Sequence, residues 1–172
     1  MSWSPRAMRV AVLVNPANAA IAENTVRDTQ QAAPALGLQI QVHNASTVPE
    51  IDTAFATLSR EHADALFVAA DAFFVNRRGQ FATLTARDRI PATYPDRDFV
   101  AGGGLMSYGS DILEMFHGVG VYTDKVLQGA KPPDLPVQQT TKFGLTINLQ
   151  TARALGIEIP SGLLAIADEV IE

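Results

Sequence analysis

The sequence predicts an α/β fold, a parallel sheet flanked by helices, on three observations. Short aliphatic or β-branched runs recur at 9–14, 38–42, 65–70, 91–94 and 105–108. Segments of helical period separate them. Several runs stop at a turn former or a helix cap, as at Asn15-Pro16, Asp71, Pro95 and Gly109. Strand, helix and strand in so few residues read as parallel crossover units. Such sheets hold ligands at the carboxyl ends of their strands, so function is sought there.

The elements follow in order. Arg9–Val14 is a β-branched run that Asn15-Pro16 ends, because proline cannot extend a central strand and disfavours helix in its predecessor. Ile21–Leu36 fits a helix, with Ile21, Thr25, Val26, Thr29, Ala32 and Ala33 spaced three and four apart, and Gly37 stops it. Leu38–Val42 alternates as a second strand. Thr47 and Glu50 have the spacing of a capping box ahead of a helix to about Arg60, with Ile51, Ala54, Phe55 and Leu58 inward. Ala65–Ala70 is the third strand. A helix over 76–88 turns Phe81, Leu84 and Thr85 inward. Pro91–Tyr94 and Leu105–Tyr108 are the fourth and fifth strands, parallel to the first three.

Ser110 or Asp111 caps a long helix, Ile112–Leu127, that Gly129 ends. Lys131–Pro136 carries three prolines and reads as an extended connector. Phe143–Asn148 alternates as a sixth strand, Thr151–Leu155 is a short helix before Gly156, and Gly162–Ile171 is the terminal helix.

Composition narrows the function. The 172 residues suit one well-buried core and are short for two. A net charge of −5 with no basic run argues against a nucleic-acid partner. No apolar run is long enough to span a bilayer. The absence of cysteine removes disulfides, thiolate catalysis and cysteine zinc sites together. Met1–Arg6 has neither the apolar core nor the cleavage site of a secretory signal.

The familiar chemical motifs fail. Gly102-Gly103-Gly104 precedes a strand, with no Gly-Lys-Ser/Thr after it, and Gly118-Val119-Gly120 lacks the third glycine of a dinucleotide fingerprint. Close backbone packing is the expectation for both. His43, His62 and His117 lack metal-ligand spacing and are expected at the surface. Ser107 lies outside any Gly-x-Ser-x-Gly frame. No metal, cofactor or catalytic residue is expected.

Polar and aromatic residues do recur at strand exits. Asn15 follows the first strand, Asn44 and Ser46 the second, and Asp71 the third. Tyr94 ends the fourth, and Ser107 with Tyr108 the fifth. In a parallel sheet these converge on one edge, an amide, hydroxyl, carboxylate and aromatic set suited to a small-molecule pocket. Each alone has a plain alternative as turn former or cap, Asn15 and Asp71 especially. Phe73 and Phe74 follow Asp71, and two adjacent phenylalanines beyond a strand are hard to bury together. One of them is expected to face the cleft.

Several longer stretches then fall in a telling order. They are Val10–Asn18, Asp71-Ala72-Phe73-Phe74, Ile90–Pro95, Phe99–Gly109, Val126–Pro132, Leu135–Gln138, Thr141-Lys142-Phe143, Ile147-Asn148-Leu149 and Ala152–Gly156. This series resembles the carboxyl-terminal half of an ABC transporter substrate-binding protein, in the family that includes tryptophan-binding members. The resemblance covers nearly the whole chain. It implies a type I periplasmic-binding-protein fold, in which two α/β lobes joined by hinge strands close on a solute.

By that resemblance the present sequence supplies the second lobe, 8–107, and lacks the first lobe and its export signal. Residues 108–131 would return to that first lobe, and 132–172 would supply a final strand and helices. Asn15, Asp71, Tyr94 and Tyr108 are then expected to face the solute, with Ser46, Phe73 and Ser107 as second choices. The implied partners are a small solute such as an amino acid and an ABC permease, in the periplasm. Self-association through the uncovered lobe interface is a further expectation. The alternative is a stand-alone metabolite-sensing or self-associating α/β regulatory domain. A doubly wound enzyme is a third reading, for which no base, nucleophile or phosphate loop is at hand.

Overall fold

The structure, a computed structural model, describes residues 8–137 and 142–172. The five expected parallel strands form β1 (Arg9–Val14), β2 (Gln39–Asn44), β3 (Ala65–Val68), β4 (Ala92–Tyr94) and β5 (Met106–Ser110). With β6 (Phe143–Asn148) and β7 (Glu169–Ile171) they make one sheet of order β2-β1-β3-β4-β5-β6-β7. Pairing is parallel from β2 through β5, antiparallel between β5 and β6, and parallel again between β6 and β7.

Helix α1 (Ala19–Leu36) lies on one face, where Val12, Val14, Ala22 and Ala69 are buried together. Its inner residues are Ala22 and Ala33, whereas Ile21, expected inward, is exposed. The intervening β1 residues Ala11 and Leu13 point the other way, as a strand's period of two requires. They meet α2 (Val48–Glu61) and α4 (Arg78–Asp88), which bring Ile51, Phe55, Leu58, Phe81 and Leu84 into the larger core. The capping box forms as expected: Glu50 N–H donates to Thr47 Oγ1 at 3.4 Å, and Glu50 Oε2 accepts from Thr47 N–H at 3.2 Å. The helix expected over 76–88 is α4, with Phe81, Leu84 and Thr85 inward, and a further short helix, α3 (Ala72–Val75), precedes it.

An aromatic nest fills the centre of this core. The Phe81 ring sits edge-on to Phe74, Tyr94 and Phe99 at centroid distances of 5.5, 6.5 and 6.0 Å. Helix α5 (Arg97–Ala101) carries Phe99, which stacks on Tyr94 at 4.7 Å. Gly104 admits the Tyr94 ring, since a Cβ there would lie 2.6 Å from Tyr94 Cε2. Gly109 is tighter still: a Cβ would stand 1.9 Å from the Pro95 carbonyl oxygen. The close-packing expectation therefore holds for Gly104. It does not for Gly120, where a Cβ would meet nothing within 4 Å.

Beyond β5 the chain leaves the body. Helix α6 (Ile112–Leu127) is capped by Asp111, whose Oδ1 accepts from Glu114 N–H at 3.2 Å. A 3₁₀ turn (Pro132–Asp134) follows, and the Tyr122 hydroxyl donates to the Pro136 carbonyl. Ile112, Met115, Phe116, Val119, Val121, Val126 and Leu127 are all exposed. No helix among the described residues is long and apolar enough to cross a membrane.

The carboxyl terminus corrects the expectation of a helix over 162–171. Helix α7 (Leu149–Leu155) ends at Gly156 and α8 (Ser161–Ala165) makes little more than one turn, after which the chain becomes strand β7. The open edge of β6 takes this segment: Asp168 N–H donates to Leu145 O and Leu145 N–H to Asp168 Oδ2, at 2.9 and 2.8 Å. Edge pairing overrides a local helical pattern here.

Candidate ligand-binding site

Parallel pairing brings the ends of β1, β2 and β3 to one edge of the sheet, and a polar network forms there. Asn15, the residue after β1, is only 9% exposed. Its Oδ1 accepts from Ala17 N–H at 3.0 Å and from Ser46 Oγ at 2.8 Å, and its Nδ2 donates to Asp71 Oδ1 at 3.0 Å. Asp71 N-caps α3, accepting from Phe73 N–H at 2.9 Å. Asn18 Nδ2 donates to Asp71 Oδ2 at 3.3 Å. Both carboxylate oxygens therefore point into a ring of donors, which is how a half-buried charge is held.

Asn18 joins three residues expected at this edge. It precedes α1 at the N-cap position yet makes no side-chain cap bond, and its Nδ2 is turned to Asp71 instead. The signal was present in the sequence as a second asparagine within the Asn15-Pro16 turn. A side chain with two competing local uses cannot be assigned from spacing alone. Phe73 is half-buried, packed against the large core, and Phe74 is fully buried. The guanidinium of Arg77, a residue not singled out beforehand, lies over the Phe73 ring at 5.8 Å from its centroid.

Tyr94 is a correction. Expected to be partly exposed at the edge, it is 1% exposed, with its hydroxyl 3.5 Å from Thr85 Oγ1. Burial pushes its phenol up to about 12, against the weaker opposing effect of the Thr85 contact. In three-residue β4 the alternation points Ala92 and Tyr94 inward and Thr93 toward the other face. Ser107, its register partner on β5, is buried too and is likewise no cleft-facing group. Tyr108 alternates to the opposite side, is 60% exposed and stacks on Phe143 at 5.6 Å. It stands two strands from β3, or roughly 10 Å in the sheet direction.

A cavity of about 1060 Å³ lies between α6 and residues 132–137. Another of about 630 Å³ lies beside α1, where Asn44 is found with Val14 and Pro16. Asn15, Ser46 and Asp71 line neither. Of the histidines, His62 ends α2 in the left-handed region at φ 54° and His117 is exposed on α6. His43 is half-buried, its Nε2 without a hydrogen-bond partner among the described residues. Burial lowers its pKa, with Glu61 opposing.

Comparison with known proteins locates this fold. The chain is 24% identical over 157 residues to a tyrosine-binding protein of Clostridioides difficile (strain R20291), covering 90% of this chain and 44% of that protein. An ABC domain solved in complex with L-Trp, from Streptococcus pneumonia, superposes with a TM-score of 0.87 at 24% identity, over 98% of this chain and 58% of its own. A conserved domain protein from Vibrio cholerae superposes equally well, at 23% identity over 96% and 55%. The chain thus spans about half the length of the relatives it matches. At these identities the solved structures establish the shared α/β, periplasmic-binding-protein-like architecture. The profile of the family described as ABC transporter substrate binding protein matches residues 2–171, so the chain belongs to that family of substrate-binding proteins.

Proposed function

We propose that this chain is the solute-holding lobe of an ABC-type uptake system, and that an amino acid is captured at the open ends of β1, β2 and β3. The observation that carries the reading is the Asn15–Asp71 network, a half-buried carboxylate fixed by two amides at the sheet edge where α/β folds bind ligands. The printed ligands of the relatives, tyrosine and L-Trp, support an aromatic amino acid. Asp71 is the acceptor for an ammonium group, Asn18 and Ser46 border it, and Phe73 lends an apolar wall. Tyr108 bounds the far side, beyond β4.

In this reading 8–107 is the second, solute-binding lobe, 108–131 returns to the first lobe, and 132–172 completes the sheet. The exposed apolar side of α6 is the surface that the first lobe covers. Left uncovered, it pairs copies of this chain. Delivery to a permease places the protein in the periplasm or outside the cell. One lobe supplies only part of the contact, so roughly half of a micromolar binding energy of about −8 kcal/mol remains, which is millimolar affinity.

The test is a titration of the 172-residue chain with L-tryptophan and L-tyrosine, followed by NMR to about 10 mM, or to the solubility limit where that is lower. Shifts are expected at Asn15, Asn18, Ser46 and Asp71, and the Asp71→Ala variant should lose them while staying folded. A monomeric chain that binds either ligand with micromolar affinity would replace this reading with the stand-alone sensor. Silence at all four residues would remove the site.

A further inference from the structure

Arg77 is a charged side chain that the structure adds at the far end of α3 from Asp71. The helix is four residues long, and Asp71 and Arg77 flank it. Phe73 links the two: its N–H donates to Asp71 Oδ1, and its ring carries the Arg77 guanidinium at 5.8 Å. Among the described residues Arg77 forms no ion pair. Arg9, Arg27, Arg60, Arg87 and Arg97 each lie within 4 Å of a carboxylate, whereas Arg78, Arg89 and Arg153, like Arg77, form no ion pair among the described residues. Asp71 is not its partner: its oxygens accept from Asn15, Asn18 and Phe73, which leaves acceptor capacity on Oδ2 for a ligand.

A guanidinium resting on an aromatic face is held flat while its N–H edges stay open, the geometry that grips a carboxylate through two parallel hydrogen bonds. Arg78, its neighbour in sequence, is differently occupied, with Nη1 donating to Val75 O at 3.2 Å. From this arrangement we infer that Arg77 is the anion contact of the solute site and receives the carboxylate of the captured molecule. The inference rests on the solute-binding reading above. An acid on Asp71 and a base on Arg77, separated by one short helix, match the two charges of a zwitterion. A dianionic ligand such as a phosphate ester would instead meet Asp71 and a chain of net charge −5.

Two pairs of probes isolate the carboxylate: L-tryptophan against tryptamine, and L-tyrosine against tyramine. NMR titration of the 172-residue chain should show the acid-bearing member of each pair binding at least about tenfold more tightly. In Arg77→Gln that ratio should fall to near one, with the amine affinities unchanged. Arg78→Gln should keep the ratio, and Arg77→Lys, which keeps the charge without the fork, should give an intermediate one. Should Arg77→Gln fail to fold by circular dichroism, the lysine variant carries the comparison. A ratio that survives in Arg77→Gln, or in Arg77→Lys at its full value, overturns the assignment and leaves the solute site standing. A folded wild-type chain that binds none of the four probes overturns both.

Discussion

The body of the molecule and α6 both carry many apolar side chains and are opposite in burial. Phe55, Phe74, Phe81 and Phe99 are fully or almost fully buried, each ring meeting at least one other. Phe116 is 63% exposed and Leu127 82%, in a helix whose inward partners are absent from the described residues. Hydrophobic side chains do not by themselves make a core; they need a second layer at the right distance. The body has two such layers, and α6 has none. What distinguishes them is connectivity, because α6 follows the strand at which the run of parallel crossovers ends.

Three measurements test that contrast. The largest effect is expected from Phe81→Ala, which removes the centre of the aromatic nest and should cost about 3–5 kcal/mol in denaturant unfolding. Phe116→Ala should leave unfolding within about 0.5 kcal/mol of wild type. Phe116→Glu should raise the monomer fraction in size-exclusion chromatography. Equal losses at both phenylalanines would show that α6 packs on the body in solution.

A smaller effect is expected from pH at β2. Burial disfavours the charged form of His43, so its folded pKa lies below the unfolded one. The unfolded chain then binds more protons, and stability falls as pH drops through about 6.5 toward the lowered value. Above that range the group is neutral in both states and the penalty vanishes. A melting-temperature series from about pH 7.5 to pH 5 should show this slope, and His43→Gln should flatten it. An unchanged slope in the variant would assign it to other groups.

The smallest effect lies at the outer edge, where Arg97 holds Glu169 through Nε and Nη2 at 2.5 and 2.6 Å. Both side chains are well exposed, so solvent screens the pair and Arg97→Ala should cost under about 1 kcal/mol. A larger loss would mean that β7 docking depends on the pair more than on its ladder.

How much of this was legible in the sequence depends on whether a signal is local. The capping box at Thr47 and Glu50, the inward set of α2, and the stop at Gly156 are written within one turn of chain, and the structure repeats them. Asn15, Ser46 and Asp71 were legible as strand exits because parallel topology alone brings strand ends together. Tyr94 was not, since its direction depends on which side of a three-residue strand faces α4. That choice is made by Gly104 and Phe99, both later in the chain. The same holds for the terminal strand, where the partner edge is more than twenty residues upstream. Arg77 escaped notice because the Arg77-Arg78 pair at a helix start carries no periodic signal.

One feature bears on how the molecule can be taken apart. Strands β5 and β6 stay in antiparallel register out to Ser110 and Phe143, and just beyond them Asp111 N–H donates to Lys142 O at 3.1 Å. An ion pair at 2.9 Å joins the same two side chains. Topologically, everything between Asp111 and Lys142 is an insertion in the loop of a hairpin. An Asn-Gly turn suits such a loop, since it matches the right-handed twist of the flanking strands. The chain so shortened would keep every strand of the sheet, both layers of its core and the Asn15–Asp71 edge. The same geometry makes the outgoing and returning strands a paired strap, so whatever α6 binds would pull on the sheet through two strands at once.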